Sequence, residues 1–289
     1  MANESTTTSL NDFVDTLLAD ALFQLNRMGV MPSKVRRQSL LGFPGKAANF
    51  NKWDALASSD VQAGTEGTDY TTNKQLTSST VAASVDEHLL MSVITDLSRD
   101  SSVEDVDGGA GIMLGNAMGA KLDDDLIALF SGFSQTVAGA GVVIINDHIM
   151  QALQFLAAAN APGPYYGVFH PKQIWGPKGF SGILDATAVA SNAQPTPAAQ
   201  RMQETGQISS YAGIEIDYTP EIDPDVASGG DAAGGIFSKQ AIGLADKGLF
   251  NVELERNASM RGHEIVVQGL WKEVEVVDTY GVYALTDVA

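Results

Sequence analysis

The chain has 289 residues, of which 44% are hydrophobic, and this is enough to bury the core of one large domain or two ordinary ones. Acidic residues number 35 against 17 Lys and Arg, and the resulting net charge of −18 argues against direct binding of nucleic acid or anionic lipid through a basic surface. Cysteine is absent, which excludes disulfides, thiolate metal sites and a cysteine nucleophile.

The N-terminal segment predicts an amphipathic helix. Residues 1–9 are polar and lack the apolar core of a signal peptide. Apolar residues then recur at i, i+3, i+4 and i+7, the spacing of one helix face, until Gly29 and Pro32 end the pattern. The face consists of Leu10, Phe13, Val14, Leu17, Leu18, Ala21, Leu22, Leu25 and Met28. Two interpretations stay open: the face packs on its own subunit, or it docks on a neighbouring subunit or transient partner.

Residues 33–75 predict an extended, hairpin-like loop. They contain isolated aromatic residues, many Gly, Ser and Thr, and no sustained helical period, and loops of this length are typically functional or ordered by a partner. Six basic residues lie in or beside the loop: Lys34, Arg36, Arg37, Lys46, Lys52 and Lys74. Either these charges are solvated, or they attach to an acidic surface of another copy.

The segment 76–133 predicts strands followed by a long helix. Residues 76–85 favour a strand because they are rich in Thr and Val, and residues 87–97 fit a strand or a short helix. A helix is predicted over 102–133, where Ser102 and Asp105 form a start that is similar to a capping box. Small residues on one side of it would admit a close neighbouring element: Gly111, Gly115 and Gly119. Its large apolar stripe consists of Ile112, Met118, Leu122, Leu126, Leu129, Phe130 and Phe133.

The rest of the chain predicts a mixed helical and strand region that becomes mostly β towards the C-terminus. The expected elements are a break at 135–141, a short buried strand at 142–145, a helix from 146 to about 160, a strand at 165–169 and a short helix from Pro171. Further on come a surface excursion at 179–206, a strand at 214–219, a loop at 220–235, and strands within 252–254, 264–270, 274–277 and 280–285.

The glycine-rich and acidic motifs do not indicate a site. Residues 108–111 are glycine-rich but lack the Gly-Lys-Ser/Thr of a phosphate-binding loop. Residues 123–125 are three consecutive aspartates, whose side chains splay around a helix and are expected to form a solvated face. Glu221, Asp223 and Asp225 lack the glycine and closing glutamate of a calcium loop.

The four histidines are far apart in the sequence, and none belongs to a metal-binding or catalytic motif. They are His88, His148, His170 and His263. We therefore expect no catalytic, cofactor-binding or metal-ligating residue, and no cofactor.

The run from residue 94 to 133 resembles the spine-helix region of the tailed-phage major capsid family with the Hong Kong 97 fold. In that family a strand and a short turn with Asp and Ser lead into a long helix rich in Ala and Gly, with an acidic position, a small apolar cluster and a glycine. The matching positions are Asp96, Ser101, Ser102, Asp125, Leu129 and Gly132. Residues 166–176, 236–255 and 279–285 resemble the axial domain and closing strands of the family, in the same order along the chain.

The resemblance implies an α+β capsid subunit of the Hong Kong 97 phage fold. Its parts would be an N-terminal arm (1–32), an extended loop (33–75), a peripheral domain (76–142) with a spine helix (102–133), an axial domain (143–250), and C-terminal strands (251–289) that return to both domains. The subunit would be non-enzymatic and would assemble as hexamers and pentamers into an icosahedral shell around double-stranded DNA.

The same resemblance implies partners and a location. The partners would be further copies of the chain, a separate scaffolding protein, a portal and, as a further candidate, a decoration protein, with no sequence-specific DNA binding and no membrane. The protein would reside in the virion after assembly in the host cytoplasm. Two alternatives stay open: an encapsulin-like or gene-transfer particle shell with this fold, and, from another class, an acidic α/β hydrolase or metal-dependent enzyme that uses the acidic loop.

Overall fold

A computed structural model describes residues 29–70, 73–101, 106–180, 210–226 and 229–288. The predicted N-terminal helix and nearly all of the predicted excursion at 179–206 lie outside these residues.

The described helices are α1 (Asp96–Ser101), α2 (Val106–Ala128), α3 (Asn146–Ala158) and α4 (Pro171–Trp175). The strands are β1 (Arg36–Ser39), β2 (Ala47–Trp53), β3 (Ser78–Ser84), β4 (Asp86–Thr95), β5 (Gln135–Ala138), β6 (Tyr165–Phe169), β7 (Ser210–Tyr211), β8 (Ile214–Tyr218), β9 (Asp231–Ser238), β10 (Ile242–Asn257), β11 (Gly262–Glu275) and β12 (Gly281–Asp287).

The described strands form two sheets and one separate hairpin. The first sheet has the order β1-β10-β11-β4, in which β1 runs parallel to β10 and the other pairs are antiparallel. The second has the order β5-β12-β9-β6-β8-β7, with parallel pairs at β5/β12 and β6/β8. The hairpin consists of β2 and β3 alone. Because the first sheet joins strands that are far apart in sequence, its order could not be read from local patterns.

Helix α2 packs against the first sheet. Its spacing of Leu114, Met118, Leu122 and Leu126 brings one face onto a core that includes Trp271. The ring of Phe130 lies 5.4 Å from that of Phe237 of β9, with an angle of 40° between the two rings. Since Phe237 belongs to the second sheet, this contact joins the end of the long helix to both sheets. A second core lies under α3, whose Ile149, Ala152 and Leu156 pack on β5, β9 and β12.

Most predicted elements are present close to their predicted positions. The strand predicted at 76–85 is β3, the segment 87–97 is mainly the strand β4, and the helix predicted from 146 is α3. The strand at 165–169 is β6, the short helix from Pro171 is α4, and the strand at 214–219 is β8. The C-terminal part is mostly β, as predicted.

The long helix differs from its prediction at its C-terminal end. It ends at Ala128 and is followed by a 3-10 turn over Leu129–Gly132, which in turn ends at Phe133, where the backbone is extended (φ −63°, ψ 131°). The predicted start at Ser102 lies outside the described residues. Ile112 was placed in the apolar stripe, but its side chain is 40% exposed, so this assignment is wrong.

Three predictions around the second sheet are also wrong. The predicted break at 135–141 contains strand β5, which pairs with β12. The predicted buried strand at 142–145 is not a strand, and Ile144 is the one residue of the four that is buried. The predicted loop at 220–235 ends at Asp231, where β9 begins. For β5 and β9 the pairing partners are distant in sequence, so the local composition was misleading.

Candidate assembly surfaces

The hairpin β2/β3 is anchored by its base. Phe50 and Ala48 of β2 and Ala83 of β3 are buried against Val276 and Ala245. The fit around Phe50 is close, since a Cβ atom added to Gly243 would lie 2.9 Å from the Phe50 ring. The base of the hairpin therefore belongs to the rigid core of the subunit.

The distal part of the hairpin carries apolar side chains that this subunit leaves in solvent. Trp53 is 68% exposed and Val61 is 81% exposed. Further exposed apolar side chains on this part are Leu56, Tyr70 and Leu76. Exposed apolar side chains that cluster on one segment are typical of surfaces that bind another protein. This supports the sequence prediction that the loop is ordered for a partner.

Asp123 of α2 binds the backbone of the chain that follows the N-terminal segment. Its side chain is 1% exposed, and its carboxylate accepts the backbone N–H of Val30 at 2.9 Å and of Met31 at 3.1 Å. Burial raises the pKa of Asp123 to about 6, against the opposing effect of the two N–H donors. The residue therefore lies in a structural contact, and the predicted solvated face is wrong at this position.

The spacing of α2 contains a signal for this burial. Gly111, Gly115, Gly119 and Asp123 are each four residues apart, so they lie on one side of the helix. All four are buried. An aspartate that continues a buried row of small residues needs hydrogen-bond donors from a neighbouring segment.

Asp125 is also a structural residue. It accepts the indole N–H of Trp271 at 3.1 Å and pairs with Lys121 at 2.5 Å. Trp271 stacks on His88, with ring centroids 3.9 Å apart and an angle of 6° between the rings. Of the three consecutive aspartates, Asp124 alone has an exposed side chain, so the predicted solvated face holds for that residue only.

The six basic residues of the loop divide into two groups. Lys34 pairs with Asp217, Arg37 pairs with Asp246 at 2.7 Å, and Lys74 pairs with Asp60 at 2.6 Å. Within the described part of the chain, the others close no ion pair: Arg36, Lys46 and Lys52. Lys34 and Arg37 therefore tie the loop to the rest of its subunit, Lys74 forms an ion pair within the loop, and the other three have no carboxylate partner in the described chain.

Carboxylates of the acidic loop at 221–225 accept hydrogen bonds from nearby backbone N–H groups. Asp225 accepts the N–H groups of Gly229 and Gly230, both at 2.9 Å, and Asp223 accepts the N–H of Asp225 at 2.9 Å. Hydrogen bonds of this kind stabilise a turn. These carboxylates are therefore engaged in loop structure.

The histidines lie apart in the fold. His170 caps α4 by accepting the N–H of Lys172 at 3.0 Å, and burial lowers its pKa. His148 accepts the N–H of Ile145 at 3.3 Å at the start of α3. His263 lies in β11 opposite Ile94. Across the described ranges, no group of three or more His, Asp or Glu side chains is arranged to hold a metal ion.

Two further findings concern the whole described chain. Residues 108–111 lie inside α2 and not in a loop before it, so they do not form a phosphate cradle. Among the helices that the structure describes, none is both long and apolar enough to cross a membrane.

Comparison by sequence finds no relative, since no protein-family model matches the chain and no curated protein is significantly similar to it. Comparison by structure finds many similar folds. A structure from Mycobacterium phage Che8 has a TM-score of 0.67 at 15% identity, over 89% of this chain and 91% of that chain. The capsid of Cyanophage P-SCSP1u has a TM-score of 0.65 at 15% identity, over 89% and 88%.

A third similar structure is a virus-like particle from Pyrococcus furiosus, with a TM-score of 0.61 at 10% identity. It covers 94% of this chain and 99% of that chain. The likeness therefore extends over most of the chain and is not confined to one motif. The chain has the α+β Hong Kong 97 phage capsid fold.

Proposed function

We propose that this protein is the major capsid protein of a tailed phage, and that it acts by self-assembly and not by catalysis. Copies of the chain form hexamers and pentamers of an icosahedral head shell around double-stranded DNA. The observation that carries this proposal is the whole-chain likeness to capsid proteins, together with a hairpin whose apolar side chains its own subunit leaves exposed. Interfaces between shell subunits bury such side chains.

The proposed division of the subunit follows the segments expected from the sequence. Residues 1–32 form the arm, 33–75 the extended loop, 76–142 the peripheral domain and 143–250 the axial domain, and residues 251–289 return to both domains. Pairing of β11 with β4 and of β12 with β9 supports the last assignment, because these C-terminal strands join different sheets. Pairing of β2 in the proposed loop with β3 at the start of the proposed peripheral domain supports a direct connection between these two parts.

The acidic composition suits a container for DNA. With a net charge of −18, most of the subunit surface repels the phosphate backbone. Weak attraction between wall and genome would allow DNA to enter and leave without adhering. A separate scaffolding protein, a portal and a decoration protein are the proposed partners, and the mature location is the virion after assembly in the host cytoplasm.

Expression of the chain with its neighbouring genes, followed by electron microscopy, tests the proposal. Closed icosahedral shells are the expected result. A persistent monomer that turns over a substrate would overturn it and would support the alternative enzyme class. The alternative of an encapsulin-like or gene-transfer particle shell stays open, since a virus-like particle from Pyrococcus furiosus has a similar fold. Shells that enclose protein cargo, or short DNA of host sequence, would favour that alternative over a phage head.

A further inference from the structure

A cleft of about 470 Å³ opens between strand β1, the end of strand β2 and the segment 276–280. Arg36 of β1 and Lys52 of β2 bring two positive charges to it, and Trp53 and Tyr280 bring aromatic rings. Val277 contributes to its apolar floor. None of the described residues that line the cleft is acidic. In a chain with a net charge of −18, this is a local reversal of the prevailing charge.

The cleft is held in shape by its surroundings. The N–H groups of Val276 and Val277 both donate to the carbonyl oxygen of Ala241, at 2.8 and 3.1 Å, which holds the floor in place. The guanidinium of Arg36 donates to the carbonyl oxygen of Asn51 at 3.3 Å and lies 5.6 Å from the centre of the Phe50 ring. Phe50 is fully buried, so the guanidinium of Arg36 packs on a ring that belongs to the core.

Both cations lack a carboxylate partner within the described chain. Lys34, Arg37 and Lys74, from the same segment, each have one. A guanidinium has five N–H donors in a fork that matches a carboxylate, and the contact with Asn51 uses one of them. Because acidic residues outnumber basic ones by 35 to 17, every copy of the chain presents carboxylates that its own cations cannot neutralise.

We infer that the cleft receives an Asp or Glu side chain from a second copy of this chain. Arg36 and Lys52 bind the incoming carboxylate, and the rings of Trp53 and Tyr280 pack on the carbon atoms beside it. A second copy is the favoured occupant because its carboxylates outnumber its cations, so it offers negative side chains to the positive cleft. This inference rests on the proposed shell function, because it assigns a contact within the shell.

A matched pair of charge reversals tests the contact. Lys52→Glu places a negative charge in the cleft, whereas Lys46→Glu makes the same change in the same segment, at an exposed residue that does not line the cleft. Lys52→Glu is expected to lower the yield of closed shells by about tenfold or more, since like charges then meet at the contact. Lys46→Glu is expected to keep the yield, and circular dichroism checks that both variants fold.

Cross-linking identifies the occupant directly. Trp53→p-benzoylphenylalanine is assembled from a mixture of ¹⁵N-labelled and unlabelled subunits, irradiated and digested for mass spectrometry. Cross-linked peptides of mixed isotope content that contain Asp or Glu are expected. Replacement of that acidic residue by Lys is then expected to restore shell formation to Lys52→Glu.

Three outcomes overturn the inference. One is an equal shell yield from Lys52→Glu and Lys46→Glu. A second is the formation of shells whose cross-links join residues of one copy only, or join the chain to a different protein. The third is failure of the unmodified chain to form shells with its neighbouring genes, which removes the proposed function as well. The first two leave the proposed function intact, so the failures are distinguishable.

Discussion

Val30 donates its backbone N–H to the carboxylate of Asp123 at 2.9 Å, across 93 positions of sequence. Met31 donates to the same carboxylate at 3.1 Å. The contact joins the chain just after the N-terminal segment to the C-terminal part of the long helix. Lys34 lowers and Glu221 raises the pKa of Asp123, but burial has the larger effect and brings it to about 6. The junction therefore responds to mildly acidic pH.

The first prediction concerns the pH dependence of this junction. The pKa of Asp123 is about 6 in the folded chain against an ordinary 3.8, so between these values the folded chain holds a proton that the unfolded chain has released. The contribution of Asp123 to stability is therefore fully present below about pH 4 and is lost as pH rises through about 6. Asp123→Asn should remove this dependence.

The measurement is the free energy of unfolding in denaturant at pH 4, 5, 6 and 7 for the unmodified chain and for Asp123→Asn. The difference between the two is expected to change by about 3 kcal/mol across this range, in favour of the unmodified chain at low pH. Other carboxylates titrate in both proteins, so they cancel in the difference. A difference that stays constant from pH 4 to 7 would show that Asp123 does not have a raised pKa.

The second prediction separates Asp125 from its neighbour Asp124. Asp125→Ala leaves the buried indole N–H of Trp271 without its acceptor, and the expected cost is about 1–3 kcal/mol of unfolding free energy. Asp124→Ala is the matched control, because its side chain is 57% exposed and the change is expected to stay within about 0.5 kcal/mol. Thermal and denaturant unfolding measure both. Equal losses in the two variants would contradict the assigned roles.

The third prediction concerns the glycine row of the long helix. Gly115 is buried, so Gly115→Leu forces a large side chain into a packed interface at an expected cost of about 1–3 kcal/mol or a failure to fold. Gly119→Leu should behave in the same way. Met113→Leu is the control on this helix, since Met113 is 73% exposed. Soluble yield and particle yield are the measurements, and unchanged particle yield from Gly115→Leu would count against close packing along this row.

The fourth prediction concerns the exposed part of the hairpin. Val61→Asp is expected to leave the unfolding free energy of the subunit within about 0.5 kcal/mol, because the side chain is 81% exposed and makes no core contact. It should nevertheless reduce shell formation, since a charge would enter an apolar contact between subunits. Sedimentation velocity and electron microscopy measure the assembled fraction.

Gln62→Asp is the matched control for Val61→Asp. It adds the same charge at the next position, where the side chain is already polar and exposed. Shell formation is expected to be close to that of the unmodified chain. If both variants assemble equally well, the apolar side chain of Val61 does not contribute to a subunit interface.

Elements with strong local patterns could be predicted from the sequence. The row of Met118, Leu122 and Leu126 placed one face of the long helix on the core, because a period of 3.6 residues determines which side chains share a side. Strand β6 was predicted from its short run of aromatic and apolar residues. Helix α4 was predicted because proline is favoured at the first position of a helix, where its missing N–H leaves no hydrogen bond unmade. The order of such elements along the chain was also sufficient for the resemblance to a capsid fold.

Elements that depend on distant partners could not be predicted in this way. Strand β5 has a composition typical of a break, and it is a strand only because β12, almost 150 residues later, supplies its hydrogen bonds. The end of the long helix at Ala128 is equally dependent on packing, because Phe130 turns onto Phe237 of the second sheet. Local propensity carries no information about either contact.

The sequence by itself determined the amphipathic helices, the acidic charge and the lack of a catalytic motif, because these follow from composition and short-range spacing. The α+β class came from the resemblance to a capsid fold. Only the tertiary structure decided which charged side chains have a hydrogen-bond or ion-pair partner within the described chain. The sequence predicts that Asp123 and Asp125 are solvated, yet chain segments far from them in sequence supply the N–H groups that donate to their carboxylates. Arg36 and Lys52 look like Arg37 and Lys74, yet only the latter two meet a carboxylate within the described chain, because ion pairs depend on distances in space.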